Sequence, residues 1–210
     1  MPYRLVPLVT DQYYHVFNRG VEKRSLFLDR RGYKRLLETL IYYQQINPPS
    51  KFSLSHKRTT NVSKMVEVVS YCLMPNHFHL LLKQVTENGI STFLRKSLNS
   101  YTKYFNIKYE RVGPLFQGQF KAVRIETDEQ LIHVSRYIHL NPVVGHLVKN
   151  LRSYEWSSYA EYLGEKNGIC DKREVLNFFK RGKDYEQFVL DQVDYANKLE
   201  ESKHLLLDLG

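Results

Sequence analysis

VEVVSYCLMPNHFHLLLKQ, residues 66–84, is the stretch on which the fold turns. Its two halves, VEVVSYCLM (66–74) and HFHLLLKQ (77–84), are rich in β-branched, aromatic and leucine side chains. They are separated by Pro75-Asn76 and read as adjacent strands. Upstream, YYHVFNRG (13–20) is a short strand that stops at Gly20. Leu36, Leu37, Leu40 and Ile41 then recur at helical spacing, which predicts a helix from Arg30 to about Ile46, ended by Pro48 and Pro49. Between the helix and the strand pair, residues 50–64 are polar, basic and without periodicity. Lys51, Lys57, Arg58 and Lys64 there could touch phosphates, and a merely solvated loop would look the same.

Downstream, Ile90, Leu94, Leu98, Tyr101 and Phe105 fall on one stripe of a second helix. A Gly/Pro-punctuated segment, RVGPLFQGQ, leads to a strand-like run, FKAVRIE (120–126). A third helix opens with Thr127 followed three residues later by Gln130, a capping box, and is expected to close near Asn141 because Pro142 disfavours helical geometry in the residue before it. An irregular aromatic stretch around Trp156 and a helical tail, VLNFFKRGKDYEQFVLDQV, complete the pattern. Strand, helix, two strands, helix, strand, helix implies an α+β, ferredoxin-like architecture: a central antiparallel sheet with helices packed on it over residues 1–165, and a helical C-terminal extension over 166–210.

Composition narrows the class. With 42% hydrophobic and 13% aromatic residues the chain can bury a core. Thirty-one Lys and Arg against 22 Asp and Glu give a net charge of +9, which favours polyanions through counterion release, with nucleic acid the leading candidate. Cys72 and Cys170 form neither a disulfide framework nor a zinc pattern, so a reducing cytoplasm fits. No segment approaches the ~18 consecutive apolar residues of a membrane span, and the expectation is a soluble protein.

Two histidines interrupt the second strand of the pair. Side chains alternate along a strand, so His77 and His79 share one face while Phe78, Leu80 and Leu82 share the other. Two neutral imidazoles roughly 7 Å apart at the Cα level can converge on one cation if other groups complete the shell. Two polar residues on the solvent face of a half-exposed strand would give the same pattern.

The third helix supplies candidate partners. Leu131, Val134 and Ile138 define its expected buried stripe, and Tyr137 with Asn141 lies roughly 80–120° to one side. Spaced four apart, the Tyr137 hydroxyl and the Asn141 carboxamide can face a common point, a nucleophile beside an oxygen ligand. Among 16 tyrosines, Tyr137 is distinguished by that context alone. Phenol, with a pKa near 10, is a weak nucleophile and a phosphodiester a weak electrophile; a divalent metal on the phosphate eases both problems. Attack by tyrosine would leave a 5′-phosphotyrosine and a free 3′ hydroxyl, and the reverse attack would rejoin DNA without ATP.

MPNHFHLLL, followed downstream by RYIHLNPV, resembles the HUH-type single-strand DNA transposases, in particular the REP-associated tyrosine transposases. YHVFNRGVEKRSLF, GPLFQGQFKA (113–122) and SYEWSSYAEYLG (153–164) are similar to that family too, and the likeness covers roughly residues 12–165. The resemblance implies a ferredoxin-like fold and metal-dependent nicking and joining of single-stranded DNA at hairpin-marked, REP-like palindromes, using Mg²⁺ or Mn²⁺. Mapped by motif, His77 and His79 would be metal ligands, Asn141 the third ligand and Tyr137 the nucleophile. Relatives place a glutamine where Asn141 stands and often a second tyrosine where His139 stands. The implied setting is cytoplasmic and nucleoid-associated, as monomer or homodimer. The contrasting expectation is a domesticated hairpin-binding protein that no longer cleaves.

Overall fold

The computed structural model describes residues 7–48, 50, 52 and 63–193. The stretch at 66–84 forms β2 (Val66–Met74) and β3 (His77–Gln84), paired antiparallel so that Met74 lies opposite His77 and Pro75-Asn76 makes the turn. The turn is held from outside. Its Pro75 carbonyl accepts from Leu26 N–H at 2.7 Å, and its Asn76 carbonyl accepts from Gly20 N–H at 2.8 Å. Only glycine fits at position 20, because a Cβ there would lie 2.2 Å from the Arg24 carbonyl oxygen.

Gly20 ends β1 (Tyr13–Arg19), which pairs antiparallel with β3 on one side and with β4 (Lys121–Ile125) on the other. The sheet order β2-β3-β1-β4, with every neighbour antiparallel, is the ferredoxin-like order that the element pattern implied. β2 reads as a continuous apolar run for a local reason. An irregularity between Val68 and Ser70 reverses its phase, so Val66, Val68, Tyr71 and Leu73 face one side while Val69, Cys72 and Met74 face the other.

Helices α1 (Arg30–Tyr43) and α2 (Gly89–Lys108) cover one face of the sheet. The stripe of Ile90, Leu94, Leu98, Tyr101 and Phe105 is buried as its spacing required, against Leu36, Leu40, Phe78, Leu80 and Leu82. Fully burying a side chain of this size contributes about 1.5–3 kcal/mol. α1 stops at Tyr43 rather than Ile46, because the next residues turn to meet the approach to β2: Met65 N–H donates to the Gln44 carbonyl at 2.7 Å, and Gln45 bridges to Lys64.

α3 (Asp128–Val144) lies on the opposite face, chiefly over β2. The Thr127 half of its cap is the expected one, with Oγ1 accepting from Gln130 N–H at 3.1 Å, while Gln130 Oε1 accepts from Glu126 N–H at 2.8 Å, one residue before the N-cap that a capping box would use. Two expectations for α3 need correction. It runs through Pro142 instead of closing at Asn141. The proline sits in the last turn and forgoes the bond to the carbonyl four residues back, and the Gly145 and Leu147 N–H groups close the end on the Asn141 and Pro142 carbonyls at 2.8 and 2.9 Å. Its buried residues are Leu131, Ser135, Ile138, His139, Leu140, Pro142 and Val143, with Val134 only partly covered. The helix is covered on its back as well as its front.

That second cover is the chain beyond α3. Residues 156–158 run along the outer edge of β2, with Leu73 N–H donating to the Trp156 carbonyl at 2.9 Å and Ser158 N–H to the Tyr71 carbonyl at 3.0 Å, which shields an edge strand. Short helices α4 (Tyr159–Tyr162) and α5 (Arg173–Leu176), then α6 (Gly182–Leu190), bury Tyr159, Tyr162, Val175, Tyr185 and Val189 in the core on the α3 side. Of the stretch 166–210 expected to be a helical extension, α5 and α6 are the helices among the described residues, and residues 194–210 lie outside those described. Among the described residues no helix is long and apolar enough to cross a membrane.

Candidate functional site

β3 carries both histidines onto the face occupied by α3. His77 begins the strand, paired with Met74 and Arg19; His79 sits between Cys72 and Phe17. The two imidazole centroids are 5.1 Å apart, edge to face. His79 is buried, and His77 is partly open at the strand end, where its Nδ1 lies 2.6 Å from Asn76 Oδ1. A half-exposed strand with two solvated histidines is therefore not the arrangement found.

α3 lays Tyr137 across this pair. Its ring is 5.4 Å from His79, at 86°, and it remains about half exposed (49%). One turn further on, the Asn141 amide nitrogen donates to the Tyr137 carbonyl at 2.8 Å. That bond engages the carboxamide nitrogen and leaves Oδ1 as its acceptor, and the same side chain lies near enough to His77 to oppose the lowering of its pKa. Tyr137, Asn141, His77 and His79 are thus brought together from one chain. His139 is not with them: it points to the back of α3, fully buried, with Nδ1 2.7 Å from the Tyr185 hydroxyl and Nε2 2.7 Å from Ser158 Oγ.

A third histidine joins the group. His15, on β1 opposite Leu81, places Nε2 2.9 Å from His79 Nδ1, and its ring is 5.7 Å from that of Tyr137. Burial lowers the pKa of all three imidazoles. His15 falls to about 4; His79 falls well below the usual histidine value, with its two neighbouring imidazoles adding to burial; His77 is lowered by burial, with the nearby Asn141 side chain opposing the shift. At neutral pH they are uncharged, the state in which an imidazole nitrogen can bind a metal.

Beside His77 opens a cleft of about 450 Å³, lined among others by Arg19, Lys23, Asn76, Gln117 and Lys121. Arg19 is braced by its bond from Nε to Gln117 Oε1. Neither His15 nor this cleft was singled out from sequence. The available signal was strand alternation in YYHVFNRG, which puts His15 on the face of Tyr13 and Phe17 without saying which strand lies alongside. Of the basic positions in the 50–64 loop, Lys51, Lys57 and Arg58 lie outside the described residues, and Lys64 is exposed. Among the described residues, no group of three or more His, Cys, Asp or Glu side chains is arranged to hold a metal. An ion here would rest on two imidazoles and a carboxamide, with phosphate oxygens and water completing its shell.

Residues 49–141 match the sequence profile of the family described as "Transposase IS200 like", a window that contains His77, His79, Tyr137 and Asn141. That stretch is similar to the IS200-like transposases. The resemblance read from the motifs stands on two further likenesses. A Haemophilus influenzae protein provisionally named a REP-associated tyrosine transposase is 30% identical over 105 residues, covering 44% of this chain and 58% of that relative. The chain therefore spans a little under three-fifths of the curated relative's length. A solved structure described as a REP-associated tyrosine transposase bound to a REP hairpin shares the fold, with a TM-score of 0.60 at 17% identity, over 81% of this chain and 94% of that one. Within the matched stretch, His77, His79, Tyr137 and Asn141 are gathered on the α3 side of the sheet.

Proposed function

We propose that this chain is a tyrosine transposase that cleaves and rejoins single-stranded, hairpin-marked DNA. The observation that carries the reading is the Tyr137 phenol, half exposed and set across His79, with His77 and Asn141 beside it. The donor set suits a hard divalent cation: two uncharged imidazoles and an amide oxygen whose nitrogen is already engaged. Bound by His77, His79 and Asn141, Mg²⁺ or Mn²⁺ would polarise the scissile phosphate and offset its growing charge.

Tyr137 Oη attacks phosphorus in line with the departing oxygen. The Oη–P bond forms as the P–O3′ bond breaks, the phenolic proton leaves to solvent at the open side of the ring, and the 3′ oxygen takes up a proton as it departs. The product is a 5′-phosphotyrosine, and attack by another 3′ hydroxyl reverses the step. Arg19, Lys23 and Lys121 supply positive charge where an unpaired strand would approach through the cleft beside His77. A REP-like hairpin is the proposed substrate, supported by the hairpin in the structure that shares this fold and by the net charge of +9. All four groups come from one chain, so a monomer holds the arrangement without a second copy, and the proposed setting is the cytoplasmic nucleoid.

The test uses a labelled, hairpin-bearing single strand. The expected result is a denaturant-resistant adduct that requires Mg²⁺ or Mn²⁺ and disappears in Tyr137→Phe, which keeps the ring and removes only the hydroxyl. Adduct formation that persists in the variant assigns the nucleophile elsewhere. Tight hairpin binding with no adduct under either ion replaces the reading with that of a non-cleaving binder.

A further inference from the structure

His15 lies outside both the residues used in the proposed reaction and the stretch matched by the transposase profile, yet it makes the closest contact that His79 has with another imidazole, 2.9 Å from Nε2 to Nδ1. Two neutral imidazoles joined in this way share one proton, and two arrangements are open. In one, His79 carries its proton on Nδ1 and donates it to His15, which leaves His79 Nε2 as a bare lone pair. In the other, His15 donates from Nε2, and His79, now accepting at Nδ1, must carry its own proton on Nε2. Nδ1 of His79 is engaged in both. Only the first arrangement leaves His79 a nitrogen able to bind a cation.

We propose that His15 is a positioning residue: it accepts the Nδ1 proton of His79 and so fixes the tautomer and ring orientation that present Nε2 to the metal ion. The proposal rests on the metal-assisted reading above. It gives β1 a part in the site that neither histidine of β3 can supply for itself, because His77 uses its Nδ1 toward Asn76. Around His15 the fold is suited to holding one geometry. Phe17 lies 5.1 Å from its ring and Tyr137 5.7 Å, so the imidazole is wedged between aromatic rings with its acceptor aimed at His79. Outer partners that orient a ligating histidine typically change metal affinity about 10–100-fold when removed.

The experiment combines imidazole ¹⁵N NMR of the metal-free protein near neutral pH with Mn²⁺ titration followed by electron paramagnetic resonance. In the unaltered protein His79 should be protonated on Nδ1 and bare on Nε2; a proton on Nε2 overturns the proposal without any variant. His15→Ala should give a mixture of His79 tautomers and a Mn²⁺ affinity lower by about 10–100-fold. His15→Gln, whose Oε1 can accept the same proton, should restore most of both. An unchanged affinity in His15→Ala, or a Gln variant no better than Ala, overturns it. If His15→Ala does not fold, the tautomer of the unaltered protein and the Gln variant still decide. His79→Ala separates the two levels: Mn²⁺ binding that survives it removes the metal reading itself, whereas binding lost there but indifferent to His15 removes only the role given to His15.

Discussion

The two sides of the sheet are built from the same strands and do opposite work. Toward α1 and α2, Tyr14, Val16, Phe78, Leu80 and Leu82 enter one apolar cluster with Leu36, Leu40, Ile90, Phe93 and Phe105. Toward α3, the alternate residues of those strands are His15, Phe17, His77 and His79, with a half-exposed tyrosine above them. Phe78 and His79 are neighbours in the chain and stand back to back. The difference teaches how a small domain can hold uncharged, closely spaced imidazoles in place. One face supplies packing, and the other carries the side chains that packing immobilises.

Substitutions along this division should show stability losses that shrink as the chemistry is approached. The largest is expected from Leu80→Ala, at about 2–5 kcal/mol in urea unfolding, because it opens a cavity between the sheet and the two helices. A smaller loss, about 1–3 kcal/mol, is expected from His139→Ala, which strips a buried partner from both Tyr185 and Ser158 on the far side of α3. Equal losses at the two positions would blur the contrast, since the α3 side would then be as tightly packed as its opposite. Asn141→Ala should cost least, about 0.5–1.5 kcal/mol for its bond to the Tyr137 carbonyl, yet reduce adduct formation. Asn141→Gln should recover that activity if the carboxamide oxygen is what matters. An Asn141→Ala protein as active as the parent would show that this oxygen has no part in the reaction.

What the sequence made legible was whatever depends on neighbours a few residues away. The strand pair around Pro75-Asn76, the stripe of α2 and the Thr127–Gln130 cap all follow from local periodicity or local hydrogen bonding, and they stand where they were expected. The irregularity near Val69, the passage of α3 through Pro142 and the burial of His139 under Tyr185 depend on what packs from elsewhere in the chain, and no local pattern announced them. The site divides in the same way. His77 and His79 share a face by strand geometry, and Tyr137 and Asn141 share a flank by helix geometry, but their meeting across the sheet was expected chiefly from family resemblance. His15 reaches His79 only through strand pairing between segments 64 positions apart, and so it was missed.

The central claim is that one phenol among 16 tyrosines is the nucleophile, because α3 sets it across the imidazole pair. The most direct measurement is peptide mapping by mass spectrometry of the protein after reaction with a hairpin-bearing single strand and Mn²⁺. The predicted result is a nucleotide joined through its 5′ phosphate to the peptide containing Tyr137. A nucleotide found on any other tyrosine would contradict it.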